Sequence, residues 1–180
     1  MWARRALFPA AALALLGACG FRPLYGPDGE AVRLDTSDDP RLVQAMAAVR
    51  VANIPERRGQ LMRRALQRRF EDSRPGTPIR YDLQVRVNFQ AEALGFRRDG
   101  TASRVRFLAS APWSLTDGAP TPTVLGRGLA RTLDSYTVPD GAFFAAEASR
   151  DDTERRLIEE LADRVAIGVA ATLRRRLAAG

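Results

Sequence analysis

The sequence of 180 residues has no histidine and no lysine, and it contains one cysteine, Cys19. A Ser-His or Cys-His pair requires an imidazole, a Schiff base requires a lysine amine, and zinc sites use mainly cysteine and histidine. What remains is chemistry by a pair of carboxylates, by acids around a hard metal ion, or by an unusually activated Ser or Tyr. No convergent acid cluster stands out in the sequence. We therefore expect a protein that is not an enzyme and that uses no catalytic cofactor.

All 28 cationic side chains are therefore arginines, and against 21 acids they give a formal net charge of +7. An excess of this kind predicts an anionic partner, either a nucleic acid or another polyanion. Aromatic residues make up only 7% of the chain and do not alternate with the arginines, as a platform for stacked bases would require. Together with the export signal described next, this pattern predicts no nucleic-acid partner.

Residues 1–18 have the pattern of an export signal. Arg4 and Arg5 form a positive start, and an apolar run follows from Leu7 to Leu16. At about ten residues the run is too short to cross a bilayer as a helix. It ends in Leu-Gly-Ala before Cys19, which resembles the lipobox of bacterial lipoproteins. An ordinary secretory signal with a coincidental cysteine is the alternative.

The lipobox interpretation changes the length and the net charge expected for the mature protein. Removing 18 of the 180 residues leaves 162, and the loss of Arg4 and Arg5 lowers the formal charge from +7 to +5. Cys19 would carry N-acyl and S-diacylglycerol chains, palmitate among them, and each buried methylene adds about 0.8 kcal/mol to membrane binding. The resulting domain organisation is a signal peptide at 1–18, a lipidated N-terminus and extended linker at 19–47, and a single folded domain at 48–180.

Hydrophobic periodicity predicts the elements of this domain. One helical turn is expected from Arg41 to Met46, and a short strand from Val49 to Ile54. Apolar residues at helical spacing predict a helix over about 57–73, with arginines on its other side. Alternation from Ile79 to Ala93 predicts a long strand with one covered face, which includes Phe89.

The second half of the chain continues the pattern. A turn at Arg97–Gly100 leads to a strand over 105–115, and a third strand runs over about 124–138, where Gly126 and Gly128 suggest a bulge or a twist. Asp151 to Glu154 resemble a capping box, which predicts a final helix from there to Leu177. The order β-α-β-β-β-α predicts an α+β two-layer sandwich. Its four-stranded, mostly antiparallel sheet carries both helices on one face.

Residues 20–26, Gly-Phe-Arg-Pro-Leu-Tyr-Gly, follow the cysteine directly. With the lipobox, the element order and the small basic domain, they resemble the LPS-assembly lipoprotein family, LptE. The resemblance implies a lipid-anchored protein on the periplasmic face of the outer membrane. Such a protein plugs the LptD β-barrel, helps it to assemble, and contacts lipopolysaccharide on its way to the cell surface. An auxiliary lipoprotein of another envelope lipid-transport complex is the alternative.

Arginine is suited to the anionic groups of lipopolysaccharide, because its planar guanidinium bonds phosphates and carboxylates bidentately. Charged strands and turns also suit the polar lumen of a barrel. Surface arginines that are merely solvated are the alternative. The candidate contacts are two residues of the first meander turn, two on the polar face of the next strand and two on the third strand: Arg97, Arg98, Arg104, Arg106, Arg127 and Arg131.

Overall fold

The computed structural model describes residues 39–179, and within this range the fold is α+β with two layers. The elements, in chain order, are α1 (Pro40–Ala47), β1 (Val49–Val51), α2 (Glu56–Arg69), a 3-10 turn (Glu71–Ser73), β2 (Tyr81–Val85), β3 (Asn88–Phe96), β4 (Ala102–Asp117), β5 (Val124–Thr137) and α3 (Phe143–Ala179). The predicted fold class is confirmed. The sheet has five strands instead of four, and the described residues form three α-helices instead of two.

The long strand β4 organises the sheet. One of its edges pairs antiparallel with β2 and β3, and its other edge pairs antiparallel with β5 along almost its whole length. The short strand β1 lies on the far side of β2, and this pair is parallel. The prediction of a mostly antiparallel sheet is therefore confirmed.

The fifth strand arises because the predicted strand from Ile79 to Ala93 is interrupted at Arg86 and Val87. Its two parts stay in line: Val85 lies opposite Trp113, and Asn88 lies opposite Ser110, so no residue is inserted on either side. The Arg86 N–H donates to the carbonyl of Pro112 at 3.1 Å. Proline has no N–H to donate in return, so one rung of the ladder is missing at this point. The alternation was therefore predicted correctly, and the break comes from the neighbouring strand.

The helices cover one face of the sheet and form the core with it. Leu83, Trp113 and Leu115 point into this layer and share one buried cluster with Leu157 and Leu161 of α3. Two glycines let β5 approach the core closely. A Cβ on Gly128 would lie 2.5 Å from the Trp113 ring, and one on Gly126 would lie 2.6 Å from Thr172. A register shift lies beside Gly126, between Leu115 and Thr116, in agreement with the predicted bulge.

The covered face is shorter than the alternation predicts. Ile79, Ala91 and Ala93 are exposed, and Phe89 is half-buried. The cover ends here because α2 begins at Glu56, and the guanidinium of Arg58 in its first turn already lies over the Phe89 ring, 4.6 Å from its centre. The far halves of β3 and β4 therefore project beyond the helical layer.

The last helix begins eight residues before the predicted start at Asp151. The helix passes through the apparent capping box because Asp151 and Glu154 bind arginines of α2, and the Thr153 hydroxyl donates to the carbonyl of Ser149 one turn earlier. The predicted helix over 57–73 ends at Arg69 and continues only as the 3-10 turn.

The folded domain also begins earlier than the predicted boundary at residue 48. Asp39 caps α1 through its carboxylate, which accepts the N–H of Arg41 at 2.9 Å, and Pro40 fits the first helical position, where no N–H is needed. Leu42 is fully buried in the common core. The last eight residues of the predicted linker thus form a helix of the domain. Cys19, the signal peptide and residues 20–26 lie outside the described residues.

Candidate functional site

The face of the sheet opposite the helices carries the candidate site, and it is called the open face below. Side chains alternate along each strand, so burial of one set of residues leaves the other set on the open face. This second set comprises Arg50, Asp82, Gln84, Arg86, Asn88, Gln90, Glu92, Arg104, Arg106, Leu108, Ser110, Pro112, Ser114, Arg127, Leu129, Arg131, Leu133 and Ser135. Four of the six predicted contact residues therefore share one surface.

The open face has an excess of positive charge. Its two acids are already paired: Asp82 with Arg50 at 2.6 Å and Glu92 with Arg106 at 2.8 Å. Arg104 donates to the Ser135 hydroxyl at 2.8 Å. Arg106 and Arg104 thus have partners on the same face.

Three further arginines of the open face have no acidic partner within residues 39–179. Arg127 lies opposite Ser114, Arg131 lies opposite Ser110, and Arg86 lies on the other side of β4, beside Pro112. Strand dimensions put Arg127 and Arg131 about 13 Å apart and Arg86 about 10 Å from the line between them. Arg86, Arg127 and Arg131 are called the arginine triangle below. Arg86 was missed by the sequence-based selection, although it lies on the polar side of the strongest alternation in the chain.

Leucines lie among these arginines. Leu108 and Leu133 face each other across β4 and β5 and remain 39% and 59% exposed, and Leu129 beside Pro112 is 50% exposed. An open cleft of about 650 Å³ is bordered by Leu108, Leu133 and Arg131 of this face and by Glu160 and Arg164 of α3. The open face can therefore offer both charge-assisted hydrogen bonds and apolar contact to one amphiphilic ligand.

The two predicted contacts in the turn between β3 and β4 differ from each other. The guanidinium of Arg97 donates to the carbonyls of Ala102 and Val138 and to the Thr101 hydroxyl, and so it ties the turn to the end of β5. Its donors are engaged inside the protein. Arg98 is exposed and has no side-chain partner among the described residues, so it is the member of this pair that is free to bind a ligand.

The arginine-rich helix α2 uses most of its arginines to bind α3. Four of its six arginines bind acids of α3: Arg57 binds Asp151, Arg58 binds Glu154, Arg68 binds Glu159, and Arg69 binds Glu159 and Asp163. The hydrogen bonds from Arg58 hold the pKa of Glu154 below its ordinary value, against the effect of burial. This part of the basic excess therefore joins the two helices.

Residues 39–179 contain neither a candidate metal cluster nor a candidate membrane-spanning helix. They contain no group of three or more acidic, cysteine or histidine side chains placed to hold a metal ion. None of the helices in this range has the length and hydropathy needed to cross a membrane.

Comparison with known proteins agrees with this architecture. The family model LptE, described as lipopolysaccharide-assembly, matches residues 46–167, about two thirds of the chain. A candidate lipoprotein from Caulobacter crescentus CB15 is similar at 27% identity and a TM-score of 0.60, over 76% of this chain and 97% of that one. Rare lipoprotein B from Shewanella oneidensis has 12% identity and a TM-score of 0.49, over 69% of this chain and 92% of that one. No curated protein gives a significant match. The matched range includes α2, all of β2 to β5 and most of α3, and the chain belongs to the LptE family of lipopolysaccharide-assembly proteins.

Proposed function

We propose that this protein is an outer-membrane lipoprotein that faces the periplasm, is anchored by acyl chains on Cys19, and works with an LptD-type β-barrel. In this proposal the domain plugs the barrel, helps it to assemble, and contacts lipopolysaccharide during its passage to the cell surface. Its role is to bind and position other molecules, with no catalytic step. Membership of the LptE family supports the link to lipopolysaccharide assembly.

The open face is the observation that carries the proposed contact with lipopolysaccharide. Lipid A and the inner core sugars carry phosphates and carboxylates on an amphiphilic molecule. The arginine triangle supplies guanidinium groups that form no ion pair within residues 39–179, and Leu108, Leu129 and Leu133 supply exposed apolar surface beside them. A free guanidinium gains more from an anionic ligand than one that must first leave an internal carboxylate, because the latter exchanges one ion pair for another.

The proposed place in a barrel lumen is supported by the polar character of the surface opposite the helices. A barrel lumen is polar, and a charged sheet face loses less solvation there than in contact with lipid. Arg98 in the exposed turn between β3 and β4 extends the same positive surface to one end of the sheet.

The test of the lipopolysaccharide contact is charge reversal in the arginine triangle. We expect R86E/R127E/R131E to weaken binding of purified lipopolysaccharide at least tenfold at physiological salt. The matched control is R155E/R174E/R176E on the exposed side of α3, which changes the net charge by the same amount. A control that weakens binding equally would show that only net charge matters and would contradict the assignment of the open face.

Two further measurements test the anchor and the partner. Mass spectrometry of the mature N-terminus should find an acylated Cys19, and an unmodified N-terminus would contradict the anchor. Purification of the native complex should recover a large β-barrel with bound lipopolysaccharide. Recovery of an inner-membrane transporter with neither would instead favour an auxiliary role in another lipid-transport complex.

A further inference from the structure

The outer edge of β5 has main-chain groups that no other strand within residues 39–179 uses. The main-chain N–H and C=O groups of successive residues in a strand point to opposite edges. The carbonyl of Pro112 points toward β2 and β3, so the even-numbered residues of β4 direct these groups to that side. The odd-numbered residues of β4 direct theirs to β5. The β5 residues opposite the odd set are even-numbered, such as Ala130 opposite Ala111. The N–H and C=O groups of the odd-numbered residues of β5 must therefore point away from the sheet.

One end of this edge is already closed. The N–H of Ser135 donates to the carboxylate of its neighbour Asp134 at 2.7 Å, and Arg156 holds that carboxylate from α3. No equivalent contact covers the N–H groups of Arg127, Leu129, Arg131 or Leu133 within residues 39–179. A stretch of seven residues therefore remains open, which is enough for four pairs of main-chain hydrogen bonds with an added strand.

The surroundings of the edge leave room for such a strand. A second cleft, of about 350 Å³, lies between β5 and α3 beside Leu129 and Gly168, and Ile167 on its border is 47% exposed. An added strand would lie about 4.8 Å from β5, with one set of side chains toward this cleft and the other set on the open face. The side chains of the added strand on the open face would lie opposite alternating arginines and leucines: Arg127, Leu129, Arg131 and Leu133.

We propose that the outer edge of β5 over residues 127–133 is a docking site for an extended strand of a partner protein. The strand would carry acidic and aliphatic side chains in alternation on its open-face side. Opposite charges and aliphatic pairs are the favourable cross-strand neighbours of Arg127, Arg131, Leu129 and Leu133. A second copy of this chain is a poor occupant, because it would bring another Arg127 and Arg131 to an edge whose open-face side chains, from residue 127 to 133, include no acid.

The test uses three synthetic peptides and the mature chain. The first, Ac-Leu-Thr-Glu-Thr-Leu-Thr-Glu-NH₂, places its acids opposite the two arginines in the antiparallel orientation. The second has lysine in place of both glutamates. The third keeps the glutamates but is N-methylated at residues 3 and 5, whose N–H groups would face β5. Affinity and main-chain hydrogen exchange at Leu129, Arg131 and Leu133 are measured by NMR.

We expect the glutamate peptide to bind at least tenfold more tightly than the lysine peptide and to slow exchange at the three amides at least tenfold. R127E/R131E should reverse the preference between these two peptides. The N-methylated peptide should give no protection. Failure of the glutamate peptide to bind, equal binding of all three peptides, or amides that are already protected in the free protein would each overturn the proposal.

Two further variants, L129P/L133P and R86E, separate strand docking from lipopolysaccharide contact. L129P/L133P removes two outward N–H groups and none of the bonds to β4, and proline is tolerated at such edge positions. Arg86→Glu, which changes the arginine triangle on the far side of β4 from this edge, should weaken lipopolysaccharide binding and keep the glutamate peptide, whereas L129P/L133P should lose the peptide. If L129P/L133P folds and still binds the glutamate peptide, the edge is not the docking site. If it fails to fold, the N-methylated peptide provides the same test on the unmodified protein.

Discussion

The buried ion pair between α2 and α3 provides a quantitative test of how the two layers are held together. The carboxylate of Glu154 is only 6% exposed and accepts hydrogen bonds from Arg58 at 2.5 and 2.9 Å and from Arg150 at 3.3 Å. Arg58 also lies on the ring of Phe89 and so connects both helices to the start of β3. We consider the change Glu154→Leu, which removes the acceptor and leaves Arg58 without its partner.

The expected loss follows from burial of the remaining charge. Removing one member of a buried pair costs about 3–5 kcal/mol. The side chain of Arg58 is 32% exposed and can turn partly toward water, so a loss of about 2–3 kcal/mol is expected. For a domain of this size that corresponds to a decrease in Tm of about 5–10 °C. Arg58→Met in the same chain should restore much of the loss, because a well-packed apolar pair often replaces a buried ion pair without destabilising the fold.

The assay is thermal and urea unfolding of the wild type, both single variants and the double variant. The matched control is Glu159→Leu, which removes an acceptor of the same helix that is 48% exposed and should cost no more than about 1 kcal/mol. A loss at Glu154 no larger than the loss at Glu159 would refute the argument from burial.

The pH dependence gives an independent check on the same pair. The pKa of Glu154 is lowered in the folded protein, chiefly by the hydrogen bonds from Arg58. Its contribution to stability is therefore fully present above the unfolded pKa of about 4.3 and is lost as the pH falls through the folded value. The difference in stability between wild type and E154L should be constant near neutral pH and should shrink below about pH 4. A difference that grows on acidification would contradict the sign of the shift.

Three other changes test local features of the sheet. Pro112→Ala supplies the missing N–H, so β2 and β3 should become one continuous strand. Hydrogen exchange of the new amide should then be slow. Rapid exchange there would mean that the proline does not cause the break. Phe89→Asp should lower the free energy of unfolding by about 2–3 kcal/mol. Ala91→Asp lies on the same face of the same strand but beyond the helices, and it should lower that free energy by less than about 0.5 kcal/mol. Equal losses in urea unfolding would contradict the conclusion that the helices stop covering the sheet at Phe89. Arg97→Ala should cost about 1–2 kcal/mol through its lost bonds to main-chain carbonyls, and Arg98→Ala almost nothing; a similar loss in both would mean that Arg97 does not tie the turn to β5.

Features that depend on nearby residues could be predicted well from the sequence. Alternation from Ile79 onward gave the direction of each side chain in β2 and β3, and even the interruption at Arg86 left that alternation unchanged. The start of α3 was predicted less well. Asp151 and Glu154 have the spacing of a capping box, but their partners are arginines of α2, more than 90 residues away in sequence. A pattern within four residues carries no information about such partners.

In the candidate site too, local features could be predicted from the sequence and contacts between distant segments could not. The sequence placed Arg104 and Arg106 on the polar face of one strand and Arg127 and Arg131 on the next strand, and the strand register then puts all four on one face. The sequence could not distinguish the free arginines from those engaged inside the protein. That distinction depends on register, since Arg106 meets Glu92 only because β3 pairs with β4 in one particular alignment.

By itself, the sequence predicted an export signal with its cysteine, and it determined the two-layer α+β class and the absence of histidine and lysine chemistry, because each of these depends on composition or on residues close together in the chain. Only the tertiary structure decided which arginines join the helices, which form the arginine triangle and which edge of the sheet stays open. Charge pairing and strand pairing join distant segments, and their outcome depends on where the packed core brings those segments together.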